Sequence, residues 1–157
     1  MIQRIQTIFL ALVAICMFLV IFLPIWNKTN PETSQTATLT ALSLVYSDVG
    51  DSQASQTTIY IAIAAFLSSV LAVGSIFSYS NRLKQMKLNL FNTIFIAAVM
   101  GLNIYFVFEG EKLFDVEMQG AFGVAFFLPA AALLFNSMAN RFIRRDENMV
   151  RSAERFR

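Results

Sequence analysis

Few residues in this chain have side chains able to do chemistry. Glu109 and Glu111 flank Gly110, and paired carboxylates can share a proton or hold a cation. Asn92, Asn103 and Asn136 are amides inside otherwise apolar runs. Near the end, "ANRFIRRDENMVRSAERFR" places Arg141, Arg144, Arg145, Arg151, Arg155 and Arg157 within nineteen residues. The chain has no histidine, which excludes imidazole ligation and His acid–base catalysis within it. Its single cysteine, Cys16, lies in an apolar run, where a thiol usually behaves as a small inert hydrophobe. No Gly-rich phosphate loop, nucleophile elbow or metal spacing is present. The acid pair, with neither histidine nor cysteine nearby, reads as solvated charge.

The elements that carry these residues are apolar. Of 157 residues, 57% are hydrophobic and 14% charged. A soluble domain lies nearer about 45–50% and 25%. Four runs hold the excess: 7–26, 58–80, 88–108 and 120–139. None contains a charged residue, and each is close to the roughly 20 residues that cross a bilayer as a helix. The first run resembles a signal peptide, but it is long and lacks a nearby small-residue cleavage site, so it reads as an uncleaved span. The expected fold is an all-α membrane protein, an up-down bundle of four transmembrane helices.

Four crossings leave both termini on one side. Ten of the twelve Lys and Arg residues fall there: Arg4, Arg82, Lys84, Lys87 and the six tail arginines. Lys28 and Lys112 fall on the other side, together with Glu32, Asp48, Asp51, Glu109, Glu111, Asp115 and Glu117. The positive-inside rule then makes both termini cytoplasmic. Trp26, Tyr60 and Tyr105 read as outer aromatic anchors and Tyr79 as an inner one. The loop at 27–57 is expected to form an outer cap, in which "ATLTALSLVYSD" is a strand or short helix. It can pair with the alternating "KLFDVEM" of the second external loop.

Small residues suggest packing faces. Ala65, Ser69 and Ala72 follow helical spacing on the second span, and Ala97 and Gly101 form a small-xxx-small pair on the third. Gly120 and Gly123 open the fourth span, and Pro129 bends it. Asn92, Asn103 and Asn136 read as interhelical glue, the alternative being a ligand or quinone contact. With no acid or base inside the membrane, an ion pathway is not expected.

The tail is more than a stop signal. As a helix it places Arg141, Arg144, Arg145, Asn148, Arg151 and Arg155 on one broad face and Phe142, Met149, Val150, Ala153 and Phe156 on the other. A stop signal needs two or three positive charges, not an amphipathic pattern for three further turns. The segment therefore reads as a helix that contacts the inner leaflet or a partner. This tail and the opening "MIQRIQTIFL" resemble a family of small bacterial four-helix inner-membrane proteins, described as a domain of unknown function. The resemblance spans essentially the whole chain and implies a multi-pass protein of the cytoplasmic membrane of a Gram-negative bacterium. It implies no activity.

The sequence thus gives a membrane domain over 1–140 and a basic cytoplasmic tail over 141–157. The leading expectation is a non-catalytic accessory or assembly subunit of a larger inner-membrane complex, without cofactor, catalytic residue or metal. Its expected partners are membrane lipids and other membrane subunits, not nucleic acid. The alternative is a small-molecule or quinone-like lipid-binding protein with a pocket near Asn103 and Pro129.

Overall fold

In a computed structural model the described residues are 2–30, 35–47, 53–79, 81–113 and 120–155. The side chains of 2–4, 53, 151 and 153–155 are not among those described. Four helices, α1 (Ile2–Phe22), α2 (Ile59–Phe77), α3 (Arg82–Glu111) and α4 (Val124–Arg155), are each long and apolar enough to cross a membrane. Each packs on its chain neighbours, and α4 closes the ring against α1.

Helix boundaries follow local chemistry. Pro24 disfavours helical geometry at Leu23 and ends α1 at Phe22, four residues short of the expected 26. Asn81 starts α3 by accepting a hydrogen bond from the Lys84 N–H at 3.0 Å, so the α2–α3 turn is tight. Pro129 falls in the second turn of α4, which stays one continuous helix around it.

The α1–α2 and α3–α4 connections correct the all-α expectation. Strands β1 (Trp26–Thr29), β2 (Thr36–Leu39), β3 (Ser43–Ser47), β4 (Gln53–Thr57) and β5 (Ala121–Phe122) form one antiparallel sheet in the order β4-β3-β2-β1-β5. The segment 37–48, described as far as Ser47, therefore supplies parts of two strands, not one strand or a helix. The partner from the second external loop is 121–122, paired with 26–27. Most of "KLFDVEM" lies outside the described residues, as do Glu32, Asp48, Asp51, Asp115 and Glu117. Gly120 and Gly123 accordingly precede α4 rather than open it.

One face of the sheet is buried: Trp26 and Lys28 on β1, Ala37 and Leu39 on β2, Leu44 on β3. Thr58 ties the sheet to α2 through its hydroxyl, which donates to the Thr40 carbonyl at 2.9 Å. The edge strand β4 has the sequence QASQT, and polar edges resist pairing with other chains.

Candidate functional site

Trp26 is not an interfacial anchor. Its ring is fully buried, packed against the backbones of Gly110 and Gly120. A Cβ at Gly110 would lie 2.7 Å from the ring, and one at Gly120 closer still, so both positions need glycine for the ring to fit. Tyr60, Tyr79 and Tyr105 do face outward.

Beside Trp26, Lys28 donates to Glu111 Oε2 at 2.7 Å, and the Gly120 N–H donates to Oε1 at 2.9 Å. The Lys28 side chain is 5% exposed and that of Glu111 29%. One carboxylate thus joins the sheet, the end of α3 and the approach to α4. Glu111 lies just beyond the apolar stretch that ends at Phe108. Burial raises its pKa, but the Lys28 and Gly120 hydrogen bonds and the Lys28 charge outweigh this and hold it below the usual value. The expected pair of solvated acids is therefore divided. Glu109 forms an exposed pair with Lys112 at 2.7 Å, whereas Glu111 is structural. No spacing rule links residues 28 and 111, so the sequence carried no signal for this contact.

Glu111 also faces an open slot of about 380 Å³ lined by Ile104, Val107, Phe108, Phe122 and Phe126. The slot begins one residue from Asn103 and one turn from Pro129. Asn103 is 1% exposed, and neither its amide nitrogen nor its oxygen has a hydrogen-bond partner. It does not glue helices as expected.

The half of the bundle away from the sheet holds the amide network instead. Asn89 is its hub. Its Oδ1 accepts from the Ser75 hydroxyl at 2.7 Å, its Nδ2 donates to Asn140 at 3.1 Å, and its carbonyl accepts from Asn136 Nδ2 at 3.0 Å. Asn136 also donates to the Thr93 hydroxyl at 2.8 Å, and the Ser68 hydroxyl donates to Asn92 at 2.6 Å. Asn92 and Asn136 are thus interhelical glue. The interior is lined by neutral amides and hydroxyls here, not apolar throughout. The missed residues Gln85 and Asn89 had a readable signal, since with Asn92 they follow i, i+4, i+7 spacing.

Among the proposed packing residues, Ala65 and Ala72 are buried, and Ser69 donates to the Ala14 carbonyl of α1 at 3.2 Å. Pro129 is buried. Ala97 and Gly101 face outward, and a Cβ at Gly101 meets no atom within 4 Å. Small-xxx-small spacing names a face but not its direction, and α3 buries the face of Ile96, Val99 and Asn103.

The tail arginines ride on α4, which passes residue 140 without a break. Ile143 is fully buried, and Phe142 stacks on Phe9 of α1 with centroids 5.7 Å apart. Arg82 donates to the Asp146 carbonyl at 2.8 Å, with its other terminal nitrogen 3.0 Å from the carboxylate. Arg141, Arg144 and Arg145 are exposed and, with Asn148, Met149 and Ser152, line an open concave surface. Arg151 and Arg155 lie further along the helix, and Arg157 is outside the described residues. No three Asp, Glu or Cys side chains converge on a cation position among the described residues.

The family described as Domain of unknown function (DUF4293) matches residues 2–156. The chain belongs to this family. The match runs through all four helices, the sheet and the α4 overhang, so the DUF4293 unit includes the basic segment as well as the bundle. Comparison with curated proteins finds no match.

Proposed function

We propose that the chain is a non-catalytic accessory subunit of the cytoplasmic membrane of a bacterium, with both termini cytoplasmic, and that it docks an acidic partner subunit on the exposed face of the α4 overhang. The observation that carries this reading is the way the overhang is held. α4 continues for roughly 24 Å past residue 139 at 1.5 Å per residue. Phe9–Phe142 stacking, buried Ile143 and the Arg82–Asp146 contacts hold its first two turns against the bundle. Arg141, Arg144 and Arg145 point away from those contacts. A helix fixed in this way presents guanidinium groups at a set spacing with little ordering cost on binding. The groups best suited to chemistry are meanwhile committed to structural roles: Glu111 to Lys28, and Asn89 to α2 and α4.

The test is photo-crosslinking from position 152 in native membranes, in the full chain. Under this reading a single protein adduct of fixed mass forms. Replacing Arg141, Arg144 and Arg145 with Gln weakens it severalfold and leaves insertion intact, because Arg4, the 82–87 loop, Arg151, Arg155 and Arg157 remain. Adducts to lipid alone, or a protein adduct unchanged by the triple variant, would overturn it.

A further inference from the structure

We infer that the slot between the outer end of α3 and the start of α4 binds an uncharged lipid with a hydroxyl head, its chain against Ile104, Val107, Phe108, Phe122 and Phe126 and its hydroxyl donating to the Glu111 carboxylate. This site is separate from the α4 overhang and stands whether or not a partner docks there. The slot volume of about 380 Å³ falls in the roughly 300–1,000 Å³ range of small-molecule sites. Among the described residues its wall is apolar and aromatic except for one group, the pattern in which a single polar atom fixes the orientation of an apolar ligand. Phe108 and Phe122 are exposed at its mouth, so a chain can enter from the lipid side.

The head-group class follows from Glu111. Each carboxylate oxygen accepts one hydrogen bond, from Lys28 or Gly120, and a carboxylate has about four lone-pair sites. Acceptor capacity is left over, and part of the group is open to the slot. Lys28 already neutralises the charge, so a cationic head gains little there. A phosphate head would meet a carboxylate oxygen, and among the described residues no cationic side chain lines the slot. A neutral hydroxyl satisfies the free lone pairs with no charge to desolvate.

Trp26 is the only tryptophan and packs on Gly110, next to Glu111, so it reports on this site. The experiment uses the full chain in nanodiscs and a monoacylglycerol with a dibrominated chain, with the chain-matched dibrominated lysophosphatidic acid as the comparison. The expected result is saturable quenching of Trp26 by the monoacylglycerol, reversed by the unbrominated lipid, and at least tenfold weaker quenching by the phosphate-headed probe. Ile104→Phe, a half-exposed wall residue that should leave the fold intact, should weaken quenching by the monoacylglycerol by a similar factor. Quenching that is equal for the two heads, or that rises without saturation as for bulk annular lipid, would overturn the proposal. These wild-type outcomes decide it even if the variant does not fold.

Discussion

At the scale of single residues, Glu111 shows how far a side chain can depart from the reading its neighbours suggest. Two acids around a glycine at a helix end look alike in sequence, yet one is paired in water and the other holds a buried lysine. The folded Glu111 pKa lies below its ordinary value of about 4.3. The stability this group contributes is therefore complete above that value and is lost as pH falls through the folded pKa, when Lys28 loses its counter-charge. Thermal melts in detergent should show a steeper acid loss for the wild type than for Glu111→Gln. The variant should also melt lower at neutral pH. Its loss should be smaller than the roughly 3–5 kcal/mol of breaking a fully buried pair, because Glu111 keeps some contact with water. Parallel acid limbs for the two proteins would assign the titration to another carboxylate.

At the scale of elements, α3 carries opposite roles along one helix, and they predict a ranking. Gly110→Ala drives a methyl group into the Trp26 ring, an overpacking that costs about 1–3 kcal/mol. Asn89→Leu leaves Ser75 and Asn140 short of a partner, with each interhelical bond worth about 0.6 kcal/mol, while Asn136 keeps its bond to the backbone carbonyl of residue 89. Gly101→Leu enters open space and should be nearly neutral. Asn103→Leu removes a buried amide that bonds to nothing, and should be neutral or stabilising. Detergent melts that place Gly101→Leu among the damaging changes would return that face to a packing role. The same helix marks the limit of what sequence reveals. Its existence and length follow from the apolar run. Which face it buries depends on α2 and α4, so Ala97 and Gly101 read as packing and face outward. The span ends differ from the expected ones where Trp26 and Ala121–Phe122 belong to a sheet, because strands of two to five residues leave too little periodicity to see. The basic face of α4 was legible because charge and helical spacing survive without tertiary context.

At the scale of the whole molecule, the antiparallel spans bring the N-terminus, the α2–α3 turn and the α4 overhang to one end and the sheet to the other. The split of ten basic residues against two then predicts the orientation. A cysteine at Ser47 should react with an impermeant thiol reagent in intact spheroplasts and one at Ser152 should not, while native Cys16 is buried and silent. The reverse pattern would invert the molecule. The β1–β5 pair has a further consequence during synthesis. Trp26 and β1 emerge early, but their cover, Gly110, Gly120 and 121–122, is made only after three spans have been inserted. Until then the nascent chain carries an open strand edge and an uncovered indole, the features that aggregate or recruit quality-control proteases. Closing β5 onto β1 removes both features. A chain arrested before residue 120 should be degraded even though three of its helices are already in the membrane.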